Sequence, residues 1–227
     1  MDLKAIAING SPRKNWNTAK ILLSALDGAK SVGAETELVH LYDLNFKGCV
    51  SCFSCMVADG SGMWHCALKD DLQPVLERIM QADAVFVGSP IYVGNVTGET
   101  RCFLERLAFM NGTYDGALGP KSENRASAAF FFTMNVREEQ AMSDDFDYPR
   151  VYEDNFSLLR GIDGTKEYYA CYNTWQFDDY SKYMNKIFDI EDKRKWHEEH
   201  FPIDLKNAFE IGARLTRLGG AAKSGRA

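Results

Sequence analysis

The chain has 227 residues, of which 45% are hydrophobic, and a formal net charge of -6. That is enough apolar material for one sizeable core, and the length fits one α/β domain with an extension. The acidic balance excludes a nucleic-acid surface and a polybasic membrane patch, and no apolar run reaches the length of a bilayer span. Met1-Asp2-Leu3-Lys4 runs directly into a strand pattern, with no signal-peptide layout. The expected setting is therefore cytoplasmic and reducing.

The elements alternate along the chain. Lys4 to Ile8 is a short apolar run suited to a strand covered on both faces. Thr18 to Val32 carries Ile21, Leu22, Ala25, Leu26 and Ala29 at helical spacing, with Gly33 as the stop. Glu35 to Leu41 alternates like an edge strand. Leu72 to Met80 reads as a helix, Ala84 to Val87 as a buried strand, and Glu99 to Met110 as a helix. Ser127 to Thr133 and Glu167 to Tyr172 supply two more strands. Strands alternating with helices predict right-handed βαβ units and a doubly wound, five-stranded parallel sheet of order 2-1-3-4-5. Asp144 to Asp154 is acidic and aromatic and reads as a solvated connection. Tyr180 to His200 and Leu205 to Leu218 read as two helices separated by Pro202, and the tail from Gly219 as frayed. On this reading residues 1–178 form the domain and 179–227 a helical extension of it.

Two loops carry chemistry. Asn9 to Thr18 joins the first strand to the first helix. Ser11, Asn17 and Thr18 supply hydroxyls and an amide, Arg13 a guanidinium, and the helix start its positive end. That set suits a phosphate, whereas neither a Gly-x-Gly-x-x-Gly nor a Gly-Lys-Ser/Thr run is present. An ordinary polar loop with Thr18 as helix cap is the plainer alternative. Gly88 to Gly98 follows the third strand, beside the first loop at the switch point of such a sheet. Pro90, Ile91 and Tyr92 can wall a flavin ring, Gly94 allows close backbone approach, and Asn95 adds a polar contact. The alternative is a loop whose Pro and Gly serve only turns.

Gly10-Ser-Pro-Arg13 with Asn17-Thr18, then Ser89-Pro-Ile-Tyr92 through Gly98, then Phe103-Leu-Glu-Arg106, resembles the NADPH-dependent FMN reductase family of flavodoxin-like proteins, over residues 3–135. The resemblance implies an FMN phosphate on Ser11, Arg13, Asn17 and Thr18, and ring contacts along Pro90, Ile91, Tyr92, Val93, Gly94 and Asn95. It also implies a third cofactor loop at Thr133, Met134 and Asn135. It implies NAD(P)H or a ferredoxin-like protein as electron donor and a small molecule as acceptor. The chemistry would belong to the flavin, so no side-chain acid or base is expected as a catalytic group.

Four of the six cysteines crowd into one segment: Cys49, Cys52, Cys55 and Cys66. Clustered thiols in a reducing compartment bind metal or do redox chemistry more often than they form structural disulfides. Two consecutive Cys-x-x-Cys spacings can wrap one face of a cubane, with a fourth cysteine closing it. The pattern resembles the iron–sulfur flavoprotein branch of the same family, which implies a 4Fe–4S cluster. The ten residues between Cys55 and Cys66 make a longer gap than that branch's pattern. Zinc, a redox disulfide, or cysteines with no cofactor remain open. Cys102 and Cys171 read as small core residues. His65, His197 and His200 read as solvated polar residues, Trp16 and Trp64 as packing residues, and Asp70-Asp71 as a helix cap rather than a carboxylate pair.

The expectation is an FMN oxidoreductase. A non-enzymatic flavodoxin-like carrier, a reductase without a cluster and a zinc-stabilised module are the competing readings. The aromatic stretch from Tyr168 to Tyr180 and the C-terminal helices exceed what a minimal domain needs, which suggests a homodimer or homotetramer.

Overall fold

A computed structural model describes residues 3–114 and 125–224. The strands are β1 (Lys4–Asn9), β2 (Glu35–His40), β3 (Ala84–Tyr92), β4 (Asn95–Val96), β5 (Ser127–Thr133) and β6 (Lys166–Cys171). The helices are α1 (Asn17–Ser31), α2 (Gln73–Gln81), α3 (Gly98–Met110), α4 (Glu138–Ala141), α5 (Tyr148–Phe156) and α6 (Ile190–Ser224). Five strands are parallel in the order β2-β1-β3-β5-β6, and β4 only folds back antiparallel onto the end of β3. With that two-residue strand set aside, the order is the expected 2-1-3-4-5, the flavodoxin-like arrangement.

Both sheet faces are apolar because the central strands alternate between two cores. Ile6, Ile8, Val85, Val87, Phe130 and Phe132 point to one side, against Leu76 and Ile79 of α2 and Phe103, Leu104 and Leu107 of α3. Ala5, Ala7, Phe86, Ala129 and Phe131 point to the other, against Ile21, Leu22 and Ala25 of α1 and Ala208 and Leu215 of α6. A strand buried on both faces needs apolar residues at every position, which is why these segments read as unbroken runs.

Four expectations are corrected. The 144–154 segment is not simply a solvated connection: it ends in α5, whose Tyr148, Tyr152 and Asn155 are buried. Tyr148, Tyr152 and Phe156 recur every fourth residue, and the stripe packs inward, Tyr152 stacking on Phe132 at 4.7 Å. The acidic residues occupy the outer face and mask this periodicity. Second, Tyr180 begins only a short 3₁₀ turn, and the long helix starts at Ile190, where Asp189 Oδ1 accepts from the Asp192 N–H at 3.1 Å.

Third, Pro202 does not divide that helix, which runs 35 residues. An interior proline costs about 3 kcal/mol or more. Phe201, Ala208 and Leu215 are buried around it, and a fully buried large side chain contributes roughly 1.5–3 kcal/mol, so two of them offset the loss. The helix also lies directly on α1. A Cβ at Gly28 would sit 2.0 Å from the Phe209 carbonyl oxygen, and one at Gly212 would sit 1.9 Å from that of Ala25. Backbone meets backbone there, and only glycine permits it. Fourth, Gly219 and Gly220 remain helical and packed, so the described tail does not fray before Ser224.

Candidate functional site

Three loops leave the carboxyl ends of β1, β3 and β5 and surround a cavity of about 480 Å³. That is a volume suited to a small-molecule cofactor. Ser11, Arg13, Trp16, Asn17 and Thr18 line it from the first loop. Pro90, Ile91, Tyr92, Val93 and Gly94 line it from the second, and Thr133 to Val136 from the third. Of the residues expected at the cofactor, Asn95 alone is absent from the lining. Its Oδ1 instead accepts from the Val96 N–H at 2.8 Å and from Asn155 Nδ2 at 2.9 Å, fastening the second loop to α5.

The first loop is shaped locally. Asn9 Oδ1 accepts from the Ser11 N–H, and Ser11 Oγ from the Arg13 N–H, both at 3.1 Å. These short-range bonds wind the chain into a turn. Trp16 precedes α1 without a side-chain cap, and no acidic residue stands in the helix's first turn. The helix therefore presents uncapped N–H groups and its positive end beside the cavity, an arrangement made for an anion. Thr18, expected either as a ligand or as a cap, does not cap: its hydroxyl lies 2.8 Å from that of Thr133.

In the second loop the chain turns at Val93 (φ 50°) and Gly94 (φ 80°) and returns as β4. Positive φ at both central residues is the tight hairpin geometry that glycine or asparagine favours. A β-branched residue there is strained, and Val93 is wholly exposed at the tip. Thr97 ties this loop to the first, its hydroxyl donating to the Gly10 carbonyl at 2.7 Å.

The third loop contains an unpartnered acceptor. Asn135 Nδ2 donates to Gln176 Oε1 at 3.1 Å, while its Oδ1 is buried with no hydrogen-bond partner among the described residues. A buried acceptor left unsatisfied costs about 1–3 kcal/mol, so this one calls for a donor from outside the chain. Lys193, buried in α6, donates to the Asn135 carbonyl at 2.9 Å and to Asn173 Oδ1 at 2.7 Å. Burial pushes its pKa down to about 8, and nearby Arg137 adds to the effect. A second cavity, of about 520 Å³, shares Asn135, Val136 and Phe146 with the first and adds Arg137, Ile187, Phe188 and Lys193.

The cysteine segment lies between β2 and α2. Cys49, Cys52, Cys55 and Cys66 all line one small apolar cavity, closed by Arg106 and Phe109 of α3. No group of three His, Cys, Asp or Glu side chains among the described residues is placed to hold a single metal ion. All six cysteines are free thiols. Ser51 (φ 52°) and Phe53 (φ 56°) flank Cys52 in left-handed conformation. Such alternation turns successive N–H groups inward and makes concavities that hold anionic groups, iron–sulfur clusters among them. The Ser54 N–H and hydroxyl lower the pKa of exposed Cys52, whereas burial raises that of Cys55.

Arg106 organises this segment. It is 1% exposed, and its guanidinium donates to Asp70 Oδ2 at 2.5 Å, Cys66 Sγ at 3.3 Å and the carbonyls of Lys47 and Leu68. Asp70 also receives the N–H groups of Leu72 and Gln73 at the start of α2, as expected of a cap. Cys171 is buried in the core, as expected; Cys102 is half-buried beside Gly48. Trp16 lines the cavity and also donates to the Trp175 carbonyl. The sequence reading missed Val136, Phe146, Tyr148, Thr174 and Gln176 at the cavity and Lys193 beside it. The four-residue aromatic spacing could have drawn attention to Tyr148, but nothing local marks the others.

The fold and the cavity at its switch point define a flavodoxin-like protein. A family model described as NADPH-dependent FMN reductase matches residues 3–135. The chain belongs to that family. Among its relatives, an iron–sulfur flavoprotein of Archaeoglobus fulgidus is 40% identical over 104 residues, covering 46% of this chain and 48% of the relative. One of Methanosarcina thermophila is 33% identical over 108 residues, covering 48% and 54%. The chain thus spans about half the length of these relatives. In structure it resembles an NAD(P)H:quinone oxidoreductase from Methanothermobacter marburgensis, with TM-score 0.61 and 13% identity over 95% of this chain and all of the other. An azoreductase from Bacillus anthracis aligns with TM-score 0.61 and 13% identity over 93% and 99%. At these identities the structural likeness speaks for the fold alone. No helix among the described residues is long and apolar enough to cross a membrane.

Proposed function

We propose that this protein is an FMN-dependent oxidoreductase that takes electrons from NAD(P)H or a redox protein and passes them to a small acceptor. The observation that carries this reading is the meeting of three strand-end loops around one cavity, with an uncapped helix start at one wall and the orphaned Asn135 Oδ1 at another. The residues suit the cofactor in chemistry. Ser11, Arg13, Asn17 and Thr18 with the α1 N–H groups would hold the phosphate. Pro90 to Gly94 would lie along the ring, and Asn135 Oδ1 would accept from a flavin N–H. Thr133 would act through Thr18, and Asn95 by holding its loop.

Bound flavin would supply the two-electron chemistry, and the protein would supply position, polarity and exclusion of water. The second cavity, which shares Asn135, Val136 and Phe146 with the first, would receive the donor or acceptor. Protein purified without oxygen should be coloured, with one FMN released per chain, and should oxidise NADH or NADPH in the presence of an acceptor. Colourless protein that binds no added FMN would refute the reading. Flavin-bearing protein that oxidises neither nucleotide would instead support a simple carrier.

The cysteine cavity favours a second cofactor. Cys49, Cys52, Cys55 and Cys66 line one space, and their two consecutive Cys-x-x-Cys spacings suit a face of a 4Fe–4S cubane better than the separated ligand pairs of a tetrahedral zinc. The left-handed turns at Ser51 and Phe53 support the same reading. When bound, such a cluster would exchange single electrons with the flavin or a partner. The free thiols fit a reducing, cytoplasmic setting. Exposed Val50, Phe53 and Val57 around the segment fit contact with a redox partner or another subunit of a homo-oligomer.

A further inference from the structure

The residues after β6 lie beyond the span matched by the family model, yet they hold the cavity's first and third loops together. On one side the Asn173 N–H donates to the Val136 carbonyl at 2.8 Å. The Thr174 N–H and hydroxyl both donate to that of Met134, at 2.9 and 3.0 Å. On the other side Trp16 Nε1 and Asn17 Nδ2 both donate to the Trp175 carbonyl, at 2.9 and 2.7 Å, and Arg13 donates to the Gln176 carbonyl. Trp175 packs against Tyr180, with ring centroids 4.5 Å apart. Tyr180 in turn accepts from the Gln176 N–H at 2.9 Å. Lys193 pins the start of this strap, binding both Asn173 Oδ1 and the Asn135 carbonyl.

We propose that the strap Asn173 to Gln176, pinned by Lys193, restricts the cavity to a flavin mononucleotide and excludes a flavin dinucleotide. The inference rests on the FMN reading above. A terminal phosphate needs only the N–H groups opening α1 and the donors that Arg13 and Asn17 still have spare. A dinucleotide must continue past that phosphate with a second one and an adenosine. Beside the first loop it meets the strap, whose Thr174 and Gln176 line the cavity and whose Trp175 and Gln176 carbonyls are bonded to Trp16, Asn17 and Arg13. Part of the donor capacity of Arg13 and Asn17 is already committed to those same carbonyls, which leaves less for a second phosphate. Displacing the strap would break these bonds, separate Trp175 from Tyr180 and cost the buried Lys193 ammonium its Asn173 partner. Buried polar groups left unpaired discriminate strongly between otherwise similar ligands.

The test is titration of flavin-free protein with FMN and with FAD, followed by flavin fluorescence. The unaltered protein should bind FMN at least about tenfold more tightly than FAD, the ratio that loss of one or two such hydrogen bonds produces. A variant with Trp175→Gly frees the strap from its packing against Tyr180. Lys193→Met removes the pin from the opposite side and serves where the glycine variant does not fold. In either variant, with folding verified by a cooperative thermal melt, the FMN:FAD ratio should fall to within about threefold of unity, mainly through tighter FAD binding. Equal affinities in the unaltered protein, or an undiminished ratio in a folded variant, would overturn the strap's role and leave the FMN assignment standing. Absence of FMN binding in the unaltered protein would overturn both.

Discussion

The hydroxyls of Thr18 and Thr133 lie 2.8 Å apart, although 115 residues separate them in the chain. One belongs to the first turn of α1 and the other to the end of β5, and both are buried at the cavity wall. The bond joins the first and third loops below the space they enclose, so the two loops are held in register before any ligand arrives.

Breaking that link should loosen the site from both sides. Thr18→Val with Ser11→Ala removes two hydroxyls and leaves Thr133 unpaired. With each hydrogen bond worth about 0.5–1.5 kcal/mol, FMN affinity should fall roughly tenfold or more by fluorescence titration. Unchanged affinity would remove the phosphate from this loop.

Cysteine replacement tests the proposed cluster separately from the flavin. Cys52→Ala should abolish iron in anaerobically purified protein, which should otherwise contain about four irons per chain by the ligand count. FMN content should stay the same, because the cysteine cavity shares no lining residue with the flavin cavity. Stoichiometric zinc, or the same iron content in the variant, would refute the cluster.

Arg106 is the member of the cysteine site most costly to lose. Arg106→Met strips Asp70 and two carbonyls of their donor. Breaking a buried ion pair from one side costs about 3–5 kcal/mol. A large drop in melting temperature should therefore follow, together with loss of any iron that the unaltered protein carries. Lys at this position should not restore either property, since one ammonium cannot reach four acceptors arranged for a guanidinium fork.

Asp204 gives the stability a defined pH dependence. Burial raises its pKa to about 6, opposed by the Tyr169 hydroxyl, which donates to it at 2.8 Å. The folded protein therefore binds a proton more tightly at this site than the unfolded chain does. This site's contribution to stability is fullest below the unfolded value, declines as pH rises towards 6, and is lost above it. Asp204→Asn keeps an acceptor for Tyr169 and cannot ionise. It should be more stable than the parent at pH 7, by on the order of 1 kcal/mol, and equal to it near pH 4. Urea melts at the two pH values decide this, and a variant less stable at pH 7 would contradict it.

Gly212→Ala tests the helix crossing. Its methyl would lie 1.9 Å from the Ala25 carbonyl oxygen, so α6 must withdraw from α1. Overpacking of this kind costs about 1–3 kcal/mol. Thermal unfolding should show the loss even though alanine is the better helix former; a gain in stability would mean the helices are not in such contact.

The sequence determined the sheet, its order and the strand-end loops, because a strand buried on both faces leaves an unbroken apolar run and each loop follows one. It also marked Ser11, Thr18, Pro90 to Gly94 and the four cysteines, which carry their chemistry in local spacing. Tertiary structure decided the rest. Asn95 turns towards Asn155 because α5 stands behind its loop, and Thr18 finds Thr133 because β5 lies two strands from β1. Pro202 stays helical because packing against α1 outweighs its local cost. Lys193 and the strap enter the site from the last third of the chain. Their role rests on which backbone carbonyls they reach, and a hydrogen bond across such a distance leaves no periodicity or spacing in the sequence to announce it.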